Sequence, residues 1–100
     1  MVGIDLTRIS RFETMPLGRL SEFLGHDLDS PCTAAKVWCC LEAVVKAEGK
    51  TFNFKKVKLV FEPNQRPVIN DPDKTLSGNY VLSISHEGDL VTAVAFRSGP

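Results

Sequence analysis

Asp5, Glu42, Lys46 and His86 are the residues of this sequence whose types and positions could do chemistry. Glu42 lies inside the apolar arc of a helix carrying Ala35, Trp38, Leu41 and Val45, at ~40° from Trp38 and ~60° from Val45 for ~100° per residue. A carboxylate so placed is partly desolvated. A metal, a lysine or a hydrogen-bond network must compensate it, or its pKa rises. Lys46 stands one turn on, in the favourable Glu-then-Lys order, although such a pair by itself is worth only a few tenths of a kcal/mol. His86, taken alone, reads as a structural or surface histidine at a strand end. Two basic patches complete the inventory: Arg8, Arg11 and Arg19 against Asp5 and Glu13, and the run Lys50, Lys55, Lys56 and Lys58. Either suits an acidic partner, with a solvated face the plain reading of the lysine run.

The elements that must position these side chains are legible in the periodicity. Val2, Ile4 and Leu6 alternate with Gly3, Asp5 and Thr7, a strand with the Val-Ile-Leu face buried and Asp5 pointing away from it. Leu17, Leu20, Phe23 and Leu24 fall at helical spacing, with Gly25 to end that helix. Ser30 before Pro31 predicts the N-cap of the main helix, which stops at Gly49. Val57, Leu59 and Phe61 alternate as a strand, Pro63-Asn64-Gln65 turns the chain, and residues 66–69 return as a short strand. Residues 70–79 read as loop. Tyr80, Leu82, Ile84 and His86 alternate with Val81, Ser83, Ser85 and Glu87, and Gly88-Asp89 turns into a final strand that pairs with it as a hairpin. The order predicts one α+β domain over residues 1–100, with one antiparallel sheet packed on a long helix.

Bulk properties bound the function. A chain of 100 residues with 43% apolar and 24% charged residues folds as a single globular domain with a thin core. Zero net charge gives no global attraction to nucleic acid or membrane. No apolar run nears the ~20 residues of a membrane span and the N-terminus lacks a signal-peptide pattern, so the expected location is the cytoplasm. Cys32, Cys39 and Cys40 are odd in number and lack zinc spacing, so free thiols are expected.

Three segments in order, GIDLTRISR at residues 3–11, WCCLEAVVKA at 38–47 and SISHE at 83–87, resemble the signature blocks of the AcpS family of 4′-phosphopantetheinyl transferases. NQRP at 64–67 resembles a fourth, with Gln65 where glycine is usual. The resemblance implies transfer of the phosphopantetheine arm of coenzyme A to a serine of an acyl carrier protein of fatty acid or polyketide synthesis, releasing 3′,5′-adenosine diphosphate. It implies magnesium held by Asp5 and Glu42, with Thr7 placing the chain on the AcpS branch and water as a third ligand. It further implies Lys46 as a phosphate contact and catalytic group, Arg66, Pro67, Ser83, Ser85 and His86 along the coenzyme A site, Glu42 assisting deprotonation of the serine, and Arg11, with Arg8 beside it, gripping the acidic helix of the carrier. A homotrimer with sites between subunits is the family's arrangement.

The sequence departs from the family pattern at Leu41 and Val37, where basic residues are usual, and in the shortened segment LSEFLGHDLDSP. Two further readings follow: a catalytically degenerate relative that binds coenzyme A or a carrier without transfer, and a small structural domain in which Asp5 and Glu42 are merely paired with cations.

Overall fold

A computed structural model describes residues 1–98. Its strands are β1 (Val2–Arg8), β2 (Lys58–Val60), β3 (Val68–Asn70), β4 (Asn79–Glu87) and β5 (Leu90–Ser98), and its helices are α1 (Leu17–Leu24) and α2 (Pro31–Glu48). One-turn 3-10 helices at Ile9–Phe12 and Phe54–Lys56 precede α1 and β2. The predicted α+β class and both helix boundaries hold. The Ser30 hydroxyl accepts the Thr33 N–H at 3.1 Å and Pro31 opens α2, while Gly25 and Gly49 close the two helices in the left-handed conformation.

The strands form two antiparallel sheets rather than one. β5 lies at the centre of the larger, in the order β1-β5-β4, and β2 pairs with β3 in a separate ribbon. The first strand of that ribbon is shorter than its alternation predicts, because residues 54–56 turn as a 3-10 helix while Val57 and Leu59 still bury their side chains.

α2 fills the space between the large sheet and α1. It is therefore buried over far more than one stripe: Ala34, Val37, Cys39, Cys40, Ala43, Val44 and Ala47 join Ala35 and Leu41 in the core, and Trp38 and Val45 of the predicted arc are only half-buried. All three cysteines are free thiols.

β1 buries the face opposite to the one its alternation predicts. Gly3, Asp5 and Thr7 face α2, and Val2, Ile4 and Leu6 stand 57–61% exposed on the outer side of the sheet. The cause is close approach of two backbones: a Cβ on Gly3 would lie 1.9 Å from the Ala43 carbonyl oxygen. Only glycine permits that distance. Two carboxylates tie the remaining loop: Asp71 accepts the N–H groups of Thr75 and Leu76, and Glu48, at the end of α2, accepts from the Ser77 N–H and hydroxyl and from the Tyr80 hydroxyl. Among the described residues no helix is long and apolar enough to cross a membrane.

Candidate active site

The inner face of β1 turns Asp5 toward α2, where Glu42 and Lys46 stand one helical turn apart. The Lys46 ammonium donates to Asp5 Oδ1 at 2.9 Å and to the Ile4 carbonyl at 3.1 Å. Asp5 Oδ2 is buried and has no hydrogen-bond partner among the described residues. An orphaned carboxylate oxygen costs the full desolvation of that group unless something positive meets it. The backbone below is firmly held: the Asp5 carbonyl accepts from the Thr92 hydroxyl at 3.1 Å and from the Cys39 thiol at 3.2 Å.

Glu42 is half-buried beside this pair. Desolvation, and then the negative charge of Asp5, push its carboxyl above the usual range, against the opposing pull of Lys46 and Arg11. The Asp5 hydrogen bond, in turn, raises Lys46. The charge of Asp5 thus reaches Glu42, 37 positions away in sequence, and disfavours the ionisation of Glu42, which is the electrostatic condition a divalent cation relieves. Lys46 bonds to Asp5 across the helix–strand gap, not to Glu42 along the helix as an intrahelical pair would. Among the described residues no cluster of three or more His, Cys, Asp or Glu side chains converges for a metal. The donor set is two carboxylates, which fits magnesium, since that ion keeps several waters and substrate oxygens in its octahedron. Cys39, directly beneath Asp5, is no nucleophile: burial pushes its thiol up to about 12.

The remaining predicted residues are spread more widely. His86 shares the inner face of the sheet with Asp5, on the row of Val91 and Thr7, one row from that of Ala93 and Asp5. Strand spacing puts its backbone about 12 Å from that of Asp5. Its Nε2 hydrogen bonds to the Gly88 carbonyl at 3.0 Å. Ser83 and Ser85 point to the opposite face, the one bearing Val2, Ile4 and Leu6. Arg66 and Pro67 line a groove of about 330 Å³ with Ile69, Asp71, Tyr80 and Leu82, between β3 and the edge of β4. By strand spacing that groove lies about 16 Å from Asp5. One chain therefore brings together Asp5, Glu42 and Lys46, leaves His86 at their margin, and holds the two serines and Arg66-Pro67 apart. At the two departures, Leu41 is fully buried and Val37 nearly so.

Arg11 approaches α2 at Trp38, one helical turn from Glu42. Its guanidinium sits 4.7 Å over the Trp38 ring and 5.5 Å from the Phe12 centroid. With Met15, Arg19, Phe23 and Trp38 it rims a largely apolar groove of about 410 Å³. Phe23, which shares the helical spacing of Leu17, Leu20 and Leu24, is 58% exposed there. The repeat of cation, apolar, cation, apolar at Arg11, Met15, Arg19 and Phe23, every fourth residue, is the sequence signal for this groove. Arg8 instead reaches Asp89 at 3.8 Å on the surface, a pair worth little.

No family model matches the chain. A curated relative, the holo-[acyl-carrier-protein] synthase of Mycoplasma mobile, is 29% identical over 105 residues, covering 97% of this chain and 88% of the relative. Among solved structures, the holo-[acyl-carrier-protein] synthase of Helicobacter pylori in complex with coenzyme A superposes with a TM-score of 0.79 at 24% identity, over 98% of this chain and all of that one. The Neisseria meningitidis synthase gives a TM-score of 0.78 at 19% identity, covering 98% and 97% of the two chains. The Bacillus anthracis synthase in complex with coenzyme A (3′,5′-ADP) gives 0.75 at 21%, covering 94% and 91%. These solved structures establish the fold.

Proposed function

We propose that this chain, a member of the AcpS family by sequence and fold, transfers the 4′-phosphopantetheine group of coenzyme A to a serine of an acyl carrier protein. The observation that carries the reading is that Asp5, whose charge raises the Glu42 carboxyl, holds a buried carboxylate oxygen with no hydrogen-bond partner among the described residues. Asp5 and Glu42 would hold magnesium there, and the ion would supply charge neutralisation at the pyrophosphate of coenzyme A.

The chain's own residues do the rest. Lys46, whose side chain is 53% exposed, orients Asp5 and keeps an ammonium where phosphate charge develops. Glu42, with its carboxyl pushed up, is suited to take the proton from the carrier serine hydroxyl as its oxygen attacks phosphorus. The phosphoanhydride bond breaks and 3′,5′-adenosine diphosphate leaves. Arg11 and Arg19, on either side of an apolar groove, suit an acidic amphipathic helix that inserts an apolar side chain between two ion pairs.

Self-association is the second part of the proposal. The outer sheet face exposes Val2, Ile4, Leu6, Leu90 and Phe96, an apolar surface that a monomer of this size rarely leaves open. Ser83 and Ser85 share that face. A homotrimer formed through this face would cover these apolar side chains and place the two serines at the interface between subunits.

The test is the mass of apo carrier protein after incubation with coenzyme A and magnesium: a gain of one phosphopantetheine is expected. No adduct with any divalent metal overturns the transfer reading. The second reading, a relative that binds without transfer, is favoured by the burial of Leu41 and Val37, which leaves Lys46 as the helix's cation beside the two acids. It predicts coenzyme A binding by calorimetry with no adduct.

A further inference from the structure

We infer that Asp89 is a positioning residue for Arg11, setting the guanidinium that meets the carrier protein; the inference rests on the docking role proposed for Arg11 above. Arg11 belongs to a one-turn 3-10 helix whose N-cap, Arg8, makes no side-chain capping bond. A single turn has too few internal bonds to hold itself. Asp89, from the tip of the β4–β5 hairpin, supplies what the cap position lacks. Its Oδ1 accepts the Ser10 N–H at 2.9 Å, its Oδ2 accepts the Ser10 hydroxyl at 2.8 Å, and its main-chain oxygen accepts the Ile9 N–H at 2.8 Å.

Three bonds from one residue thus fix the two positions before Arg11, and the Arg11 guanidinium then falls over Trp38. The same tip receives the His86 side chain through the Gly88 carbonyl. That contact is to the Gly88 backbone and does not involve the Asp89 side chain.

The chain has one tryptophan, so its emission reports the seat of Arg11 without any turnover. Arg11→Ala uncovers Trp38 and shifts its emission to longer wavelength; Asp89→Ala reproduces that shift, and the double variant moves no further. Asp89→Asn, which keeps an oxygen for the Ser10 N–H, retains most of the wild-type spectrum. In transfer assays Asp89→Ala raises the KM for carrier protein by about fivefold to tenfold, the size of a lost helix cap. Its kcat and its KM for coenzyme A stay at wild-type values. Wild-type emission and carrier KM in Asp89→Ala, or an equal rise in both KM values, overturn the inference while leaving transfer intact. A wild-type chain that modifies no carrier removes the docking role and this inference with it.

Discussion

Gly3 is where the geometry of the site is set, and Gly3→Ala perturbs it with one methyl group. The added Cβ meets the Ala43 carbonyl oxygen at 1.9 Å and the Ala47 nitrogen at 2.6 Å. Both are helix backbone, so no side chain can swing away. α2 must lift off β1 by more than an ångström, taking Glu42 and Lys46 away from Asp5. Overpacking of this kind costs about 1–3 kcal/mol, and at ~4–8 °C per kcal/mol for a domain of this size Tm falls by roughly 5–20 °C. Gly18→Ala is the control: nothing lies within 4 Å of its Cβ, and an exposed helical glycine replaced by alanine gains about 0.5 kcal/mol. Thermal melts by circular dichroism, followed by carrier modification assays at a temperature where Gly3→Ala is folded, read both effects. Activity falls further than the folded fraction does. A Gly3→Ala protein that melts at the wild-type temperature and modifies carrier normally would refute the close contact and the account of how the acids meet.

Asp5→Asn keeps the shape of the side chain and most of the Lys46 contact but removes the charge, so magnesium-dependent transfer is lost by a factor of at least about 100 while the melting curve stays near wild type; turnover unchanged in mass-spectrometric assays rejects Asp5 as a metal ligand. Leu6→Lys places a charge on the outer sheet face, and sedimentation is expected to report a shift from trimer to monomer; a monomeric wild-type chain rejects the trimer. His26 donates from Nδ1 to the Leu24 carbonyl at 2.7 Å and accepts the Leu59 N–H on Nε2 at 2.9 Å, so the folded chain needs it neutral. Burial lowers its pKa from 6.5. The unfolded chain then binds the proton more readily, so this contribution is complete above about pH 6.5 and declines as pH falls toward the folded value. Between about pH 7.5 and 5.5, Tm drops more in wild type than in His26→Gln; equal drops reject the histidine tie.

Local signals carried much of the fold. Ser30-Pro31, Gly25 and Gly49 are side-chain or conformational statements about single helix ends, and each end falls where those residues put it. The inward face of β1 was not legible because alternation reports two faces without saying which is covered. Val2, Ile4 and Leu6 look like core, yet the core side is decided by Gly3, whose value lies in what it lacks. Phe23 misleads similarly, since an apolar residue at helical spacing can belong to a groove as well as to a core. Glu42 and Lys46 were legible from helical geometry, but the partner of Lys46 was not, because Asp5 arrives from a strand 41 positions away. The separation of Ser83 and Ser85 from His86 follows from the strand period itself, although which face meets the acids depends on β5.

The order of strands β1-β5-β4 has a consequence for biosynthesis. Asp5 leaves the ribosome before the other strands, but the strand that carries it bonds only to β5, the last of the set to emerge. Until then it has no sheet to join. A nascent chain thus offers its acid without the frame that aims it, and the pairing of Asp5 with Lys46 beside Glu42 arrives abruptly, with the closing strand, instead of accumulating residue by residue.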